Sequence, residues 1–228
     1  MTVLNAKGKP FSWSYSSLTE LESCPMRYAS RRFYCTTTEL PTEQTLWGER
    51  VHKAFEERVR DGKPFHPDLQ IYEPWAKVLS QLPGDKQVER KFAVKNNYDP
   101  CGWVSAVGRG VVDLLVIDGD TASVVDYKTG KVKDDETQAK LFCWFVSNEY
   151  PQIEKFKYRY IWLKVNKVSG GEILRKDLMA TEVNIRHRVS VMERAWNDQT
   201  FPCFPSGLCN GWCPVDECIH WKPRKEWK

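Results

Sequence analysis

Two apolar runs joined by a tight turn constrain the fold of this chain most. Residues 108–117 read GRGVVDLLVI and residues 121–130 read TASVVDYKTG, and only Asp-Gly-Asp separates them. An Asp-Gly step between two β-branched runs is a strong signal for a β-hairpin. We therefore expect a sheet that contains this hairpin.

Three charged side chains of the hairpin are predicted to lie together. A two-residue loop at Asp118-Gly119 places Asp113 opposite Val124 and one diagonal step from Asp126, so that alternation brings Asp113, Asp126 and Lys128 to one side. Two carboxylates this close repel unless a cation lies between them, and oxygen ligands suit Mg²⁺ or Mn²⁺. The lysine could stabilise negative charge that develops on a phosphate. The alternative is a solvated hairpin face with an ordinary aspartate and lysine.

Composition places few limits on the partner of the chain. The 228 residues are 41% hydrophobic and 28% charged, which fits one domain, or one domain with a small appendage. The net charge of +4 permits an anionic partner without requiring one. Because no apolar run approaches the length of a membrane span and the first residues lack a signal-peptide pattern, we expect a cytoplasmic protein.

Helical periodicity and capping signals predict helices around the strands. Ser17 and Glu20 form a capping-box pattern that predicts a helix start near Leu18, with Cys24 in the second turn and Pro25 causing a kink or dividing the segment. Further helices are expected at 43–60, 73–82, 134–150 (with acidic residues in its first turn) and 181–197. Strands are expected at 87–94, 109–117, 121–128, 155–163 and 171–175. A core of residues 1–200 and a tail of 201–228 are the expected divisions.

The order of these motifs resembles that of the PD-(D/E)XK nuclease superfamily, and its RecB-like branch most. The run G-R-G-V-V-D ends at Asp113, D-Y-K ends at Lys128, and a helix follows with Gln138 four residues before Phe142, where the family usually has tyrosine. The likeness extends from Ser16 to Cys218. It implies an α/β fold with a restriction-endonuclease-like core, in which helices flank a central mixed sheet.

The resemblance also implies a metal site. Gly48 and His52 match a helical glycine-histidine motif, which makes His52 a metal ligand. Asp113 and Asp126 match the metal-binding carboxylates, and the backbone carbonyl of Tyr127 is a further possible ligand.

Three more residues match catalytic positions of the family. Lys128 matches the family lysine, and Gln138 would position the DNA or that lysine. Glu89 lies where relatives often carry an active-site glutamate on the preceding strand. It could equally be an exposed strand residue, and Phe142 is better explained as part of the core.

The cysteines favour a second, structural metal site. Three of eight cysteines, Cys209, Cys213 and Cys218, lie within ten residues of one another near the end of the chain, and clustered cysteines in a loop usually bind metal. The iron-sulfur branch of RecB-like nucleases, which includes AddB and the CRISPR adaptation nucleases, adds one cysteine near the first helix, and Cys24 matches it. This implies a 4Fe-4S cluster that acts as a clasp between the first helix and the tail. The spacing departs from the family by one residue, four thiolates also suit zinc, and Cys203 could replace one ligand.

Basic surface is expected to contact DNA without sequence specificity. The segment 155–164, KFKYRYIWLK, alternates cations with aromatic residues, and a solvated strand face explains it better than a DNA contact. The first helix and residues 221–228 add further cations that could follow a phosphate backbone. The sequence thus predicts a divalent-metal-dependent DNA nuclease, an exonuclease on single strands or DNA ends, of phage or mobile-element type in recombination, repair or processing. The alternative is a non-catalytic DNA-binding or assembly module that keeps the fold and the clasp.

Overall fold

One mixed sheet of five strands forms the centre of the fold. The structure is a computed structural model and describes residues 2–133 and 135–223. The strands lie in the order β1-β2-β3-β4-β5, with β1 Asp85–Val94, β2 Gly108–Asp118, β3 Thr121–Lys128, β4 Lys155–Trp162 and β5 Lys167–Leu174. Only β3 and β4 are parallel, and they are linked by helix α5, because a parallel pair needs a crossover connection. The predicted α/β fold is confirmed, while β5 begins four residues earlier than expected.

The hairpin of β2 and β3 forms with a loop one residue later than predicted. Asp118 pairs with Thr121, so the loop is Gly119-Asp120. Gly119 adopts φ +58, which glycine tolerates at no steric cost, and this favours the glycine as the first loop residue. The loop stays two residues long, but the pairing is shifted: Val124 pairs with Leu115, so the predicted position of Val124 opposite Asp113 is wrong.

Helices α3 and α4 pack on the sheet through an apolar cluster. α3 spans Glu43–Asp61 and α4 spans Glu73–Ser80. Thr42 caps the start of α3 through its hydroxyl, and Gly62 ends it in the left-handed conformation at φ +72. The buried cluster joins the following side chains of these helices and of strands β2 to β4: Val51, Phe55, Ala76, Leu79, Leu114, Val116, Val125, Tyr127 and Ile161.

Helix α5, Thr137–Glu149, packs on the sheet through side chains that are almost all buried. Phe142 is buried, in agreement with its expected place in the core. A Cβ atom at Gly110 of β2 would lie 3.1 Å from Phe142 and 3.0 Å from Phe145, so this glycine lets the helix approach the strand. The expected acidic first turn is wrong, because the acids precede the helix: Asp135 accepts a hydrogen bond from the Thr137 N–H at 2.9 Å. Asp134 lies outside the described residues.

Strand β4 has the predicted alternation. Phe156, Tyr158 and Tyr160 are buried, whereas Lys155 and Lys157 between them are partly exposed. The cations therefore lie on the more accessible side of the strand.

The chain divides into two compact units. Residues 41–184 form the unit that contains the sheet, and residues 1–40 with 185–228 form the other. The predicted division at residue 200 rests on the Cys-, Pro- and Gly-rich composition of the tail and stays a prediction. None of the helices in residues 2–133 and 135–223 combines the length and the apolarity that crossing a bilayer requires.

The second unit begins with two short helices, as Pro25 predicts. α1 spans Tyr15–Ser23, Cys24 follows with extended backbone, and Pro25 is the first residue of α2, Pro25–Tyr28. The predicted start at Leu18, and the place of Cys24 inside the helix, are wrong. Ser14 is the N-cap, and Ser17 completes a capping box with it.

Glu20 is not a capping residue but a buried ion-pair partner. It accepts a hydrogen bond from Arg32 Nε at 2.7 Å and pairs with Arg31 as well. These arginines lie on the π-helical turn Ala29–Phe33 that follows α2.

The last helix, α6, spans Leu178–Asn197 and begins three residues before the expected position. Of the basic segment 221–228, residues 224–228 lie outside the described residues.

Candidate functional site

Three potential metal ligands from three different elements meet at one point. Helix α3 supplies His52, β1 supplies Glu89 and β2 supplies Asp113, and one nitrogen or oxygen atom from each lies within 4.8 Å of the other two. His52 Nδ1 is 3.2 Å from Asp113 Oδ1. These residues line a pocket of about 430 Å³. Imidazole nitrogen and carboxylate oxygens are suitable ligands for a divalent cation, and we call this pocket the carboxylate pocket.

Strained backbone directs Glu89 into the pocket. Its φ is +52, a conformation that non-glycine residues rarely adopt, in the middle of a strand. Val88 packs against the α3 and α4 cluster, and Glu89 also turns toward α3, whereas Arg90 pairs with Glu149 on α5. The positive φ thus interrupts the alternation of side chains, so that two successive residues face the same helix. Strain of this kind is concentrated at functional sites.

Asp113 lies where the pairing of β2 with β3 ends. The last paired residues are Leu114 and Val125, and beyond them Asp113 Oδ2 accepts a hydrogen bond from the backbone N–H of Tyr127 at 2.7 Å. The side chain therefore satisfies a buried backbone donor that has left the ladder. Its other oxygen remains directed at His52.

Asp126 and Lys128 of β3 form the second half of the site. Lys128 Nζ lies 2.7 Å from Asp126 Oδ2 and donates a hydrogen bond to Gln138 Oε1 at 2.8 Å. It also lies 5.2 Å from the centre of the Tyr160 ring. Asp126 and Lys128 share one side of their strand as expected, while Asp126 lies outside the compact group of His52, Glu89 and Asp113.

The electrostatics of the site favour a bound cation. Burial, followed by the negative charge of Asp113, raises the pKa of Asp126 to about 7 and also raises the pKa of Glu89. Burial alone would lower the pKa of His52, but its hydrogen bond to Asp113 and the nearby carboxylates outweigh burial and raise it. Carboxylates that resist ionisation beside one another are stabilised when a divalent ion lies between them.

Gly48 lies one helical turn before His52 and also lines the carboxylate pocket. A Cβ atom at this position would lie 3.3 Å from the Thr129 hydroxyl oxygen, so the glycine also lets α3 approach the residue that follows β3. Gly48 thus contributes both to the carboxylate pocket and to a close helix-to-loop contact.

Sequence reasoning missed three charged residues of α3 that line the pocket: Glu49, Lys53 and Glu56. Lys53 Nζ lies 2.9 Å from Glu56 Oε2. Glu49 and Glu56 are three residues before and four residues after His52, so helical periodicity would have placed them on the same face.

Tyr127 reaches the site through its backbone and through its ring, whose centre lies 5.9 Å from that of the His52 ring in an edge-to-face contact. Its ring stacks on Phe55 with ring centres 4.4 Å apart, and its hydroxyl is buried and has no hydrogen-bond partner among the residues described. The carbonyl is therefore the group of Tyr127 that remains for the predicted ligand role.

Five cysteines line one small cavity in the unit of residues 1–40 and 185–228. They are Cys24, Cys203, Cys209, Cys213 and Cys218, and His220 lines the same cavity. Cys203 Sγ and Cys218 Sγ are 3.6 Å apart, and no disulfide joins them. Burial, together with the neighbouring Cys218 thiol, raises the pKa of Cys203 to about 11. We call this set the cysteine cluster; His220 was not expected in it.

Comparison with known proteins identifies the family. The model of the PD-(D/E)XK nuclease superfamily matches residues 12–218. A candidate exonuclease from Eubacterium rectale has a similar structure, with a TM-score of 0.54 and 12% identity over 95% of this chain and 90% of that protein. The protein SSO0001 is less similar, with a TM-score of 0.46 and 15% identity over 82% of this chain and 78% of the other. No curated protein matches this sequence. Because the family match spans nearly the whole chain and the fold is the mixed sheet flanked by helices that this family has, the chain belongs to the PD-(D/E)XK nuclease superfamily.

Proposed function

We propose that this protein hydrolyses DNA phosphodiester bonds with a divalent metal ion, Mg²⁺ or Mn²⁺. The observation that carries the proposal is the convergence of His52, Glu89 and Asp113 within 4.8 Å, beside the Asp126–Lys128 pair. Members of its superfamily are metal-dependent nucleases, and this ligand set suits that chemistry.

The proposed metal ligands come from helix α3 and from strands β1, β2 and β3. His52 and Asp113 would hold the metal, with Asp126 and the Tyr127 carbonyl as further ligands and Glu89 beside them. When bound, the ion would polarise the phosphate and lower the pKa of a bound water.

Lys128 is the proposed charge stabiliser of the reaction. Its Nζ is held between Asp126 and Gln138 at 2.7 and 2.8 Å, so the ammonium group is fixed before substrate arrives. A fixed cation stabilises charge that develops on phosphate in the transition state without reorganising. Gln138 acts through Lys128 in this scheme and is a positioning residue.

A 4Fe-4S cluster held by Cys24, Cys209, Cys213 and Cys218 is our proposal for the cysteine cluster. The residues fit such a group, because thiols crowded in one cavity are suited to bind metal as thiolates. Cys203 lies close enough to Cys218 to replace a ligand, and zinc is the alternative occupant. The role we assign to the metal is structural.

The substrate we propose is single-stranded DNA or DNA ends, degraded exonucleolytically and without sequence preference. Support comes from the resemblance of the motif order to the RecB-like branch and from the fold shared with the candidate exonuclease of Eubacterium rectale. The biological role we propose is that of a phage or mobile-element enzyme that uses this activity in DNA recombination, repair or processing.

Cleavage of end-labelled DNA tests the proposal. Purified protein is incubated with linear single-stranded, linear duplex and circular DNA, with Mg²⁺, Mn²⁺ or EDTA. We expect metal-dependent release of label from linear DNA and little cutting of circles.

A matched pair of variants completes the test. Lys128→Ala should lower the rate by at least about 100-fold, and Lys140→Ala, which removes an exposed lysine from α5, should not. Metal-dependent DNA binding without any cleavage would instead establish the non-catalytic module.

A further inference from the structure

A tryptophan stands on the surface at the end of the β1–β2 hairpin. Trp103 lies in a short 3₁₀ turn, Trp103–Ser105, and its side chain is 39% exposed, while the neighbouring Val104 is 95% exposed. Single exposed apolar residues are common on protein surfaces. What distinguishes this one is its surroundings.

The loop that carries Trp103 is held in place by its backbone. The N–H of Cys101 donates to Ala93 O at 2.9 Å, and the N–H of Val107 donates to Val94 O at 2.9 Å. Within the loop the Ser105 N–H donates to Gly102 O. The exposed indole is therefore presented by an ordered turn.

Two cations lie close to the indole. Lys91 Nζ lies 5.4 Å from the ring centre and the Arg109 guanidinium carbon lies 5.5 Å from it. Arg109 Nε also donates a hydrogen bond to the Trp103 carbonyl at 3.2 Å. In the part of the chain that the structure describes, neither cation forms an ion pair with a carboxylate. Both charges are thus available to an anionic ligand.

This group continues the face that carries the carboxylate pocket. Lys91 pairs with Val111 across the hairpin, and Val111 lines the pocket together with Glu89 and Asp113. Arg109 is four residues before Asp113 on the same strand, which corresponds to about 13 Å along an extended chain. A DNA strand that reaches the pocket would pass the indole within a few nucleotides of the reacting phosphate.

We infer that Trp103, Lys91 and Arg109 form a subsite for one unpaired base of a single-stranded DNA substrate, with the indole stacked on the base and the two cations on the adjoining phosphates. The inference rests on the proposed nuclease function and names the strand state that the site selects. We call these three residues the stacking subsite.

The chemistry favours a single strand over a duplex. Every base has a π-face that can stack on an aromatic side chain, so stacking tolerates any sequence. Bases inside a duplex are already stacked and paired, so only an unpaired base offers its face without an energetic penalty. The stacking subsite should therefore add affinity for single strands and little for duplex DNA.

Binding measurements on a non-cleaving background test the inference. In Lys128→Ala protein, Trp103→Ala should weaken the binding of a short fluorescent oligodeoxythymidylate by about 10- to 100-fold, the range of one stacked base. Trp103→Phe, which keeps a ring, should retain most of the affinity. Val104→Ala truncates a neighbour that is even more exposed and should leave affinity unchanged. Binding of a blunt duplex should be the same in all four proteins.

An abasic scan distinguishes stacking from general loss of binding. Oligonucleotides that lack one base at successive positions should bind weakly to the parent protein at one position, and this dependence should vanish in Trp103→Ala. Lys91→Gln and Arg109→Gln should each reduce the dependence of affinity on salt, whereas Lys167→Gln on the edge strand β5 should not.

Some outcomes would overturn the inference. They are unchanged single-strand affinity and an unchanged abasic profile in Trp103→Ala, or an equal loss for single strands and duplex. These results are independent of cleavage: if wild-type protein binds DNA through Trp103 but never cuts it, the proposed nuclease function fails and the stacking subsite stands.

Discussion

Asp113 has two separate tasks for its two carboxylate oxygens. Oδ2 accepts the buried Tyr127 N–H at 2.7 Å, and Oδ1 faces His52 at 3.2 Å. The first contact supports the strand and the second belongs to the proposed metal site. Substitutions at this residue can therefore separate stability from chemistry.

We predict that Asp113→Asn abolishes metal-dependent cleavage while the fold remains stable. An asparagine keeps an acceptor for Tyr127 but loses the negative charge that a divalent ion needs. Asp113→Ala should also be inactive, and should in addition lose about 1–3 kcal/mol of unfolding free energy, because a buried N–H loses its partner. Cleavage rates and urea unfolding measure the two effects. Equal stability of the two variants would show that the contact with Tyr127 contributes nothing.

Asp126 predicts a pH dependence of stability in metal-free protein. Burial and the charge of Asp113 raise the pKa of Asp126 to about 7, from an ordinary value of about 4. Between these two pH values the folded state still holds a proton that the unfolded state has released. Unfolding free energy should therefore fall as pH rises through this window. Asp126→Asn removes the titration, so its stability relative to wild type should be greater at pH above 7 than at pH below 4.

Urea unfolding in EDTA at both ends of that window measures the difference. Added Mg²⁺ should reduce the stability difference between Asp126→Asn and wild type at high pH, because a cation compensates the charge of the ionised carboxylate. A constant difference across the window would contradict the raised pKa.

At the scale of the elements, β1 carries the strain that turns Glu89 toward α3. The residues on either side keep the same register with β2, Val88 with Leu114 and Arg90 with Val112. The strand therefore absorbs the left-handed residue without inserting an extra one. The strain is therefore confined to Glu89, and relieving it should raise the free energy of unfolding.

We predict that Glu89→Gly is more stable than Glu89→Ala by about 1 kcal/mol. Both variants lose the carboxylate, but only glycine adopts φ +52 without a steric penalty. At an ordinary strand position the alanine variant is the more stable of the two. Lys91 on the same strand is the control, and Lys91→Ala should be more stable than Lys91→Gly. Denaturant unfolding of the four variants decides the matter, and greater stability of Glu89→Ala over Glu89→Gly would exclude the strained conformation.

At the scale of the whole molecule, the cysteine cluster joins the two ends of the chain. Cys24 belongs to the N-terminal segment and the other four cysteines to the C-terminal segment of one compact unit. A metal bound by both segments would close a loop of nearly the whole chain, and its binding energy would contribute to folding.

We predict that protein purified without oxygen contains iron and is brown, or contains zinc and is colourless. Cys24→Ser should lose the metal and melt about 5 °C or more below wild type. Cys35→Ser is the control, because the Cys35 thiol contacts backbone carbonyls and not the cluster. Elemental analysis and thermal melting measure both properties. Protein free of iron and zinc, with equal melting of the two variants, would refute the clasp.

Sequence by itself determined the parts of the protein whose signals are local. The Asp-Gly step predicted the hairpin, helical spacing and Gly62 bounded α3, and alternation placed Asp126 and Lys128 on one side of β3. It missed the start of α1, because Ser14 and Ser17 offered a competing capping pair a few residues before the predicted one. Each of these predictions rested on residues within one helix, one strand or one hairpin.

Only the tertiary structure decided how distant groups meet. Glu89 reaches His52 through a backbone conformation that no residue pattern predicts, and Asp113 accepts a hydrogen bond from the Tyr127 backbone N–H because the ladder between their strands ends there. His220 joins the cysteine cluster, and Trp103 comes to lie close to Lys91 and Arg109, through the path of loops. Periodicity and capping are short-range properties of a sequence, whereas ligand sets and stacked groups depend on packing between residues far apart in the chain.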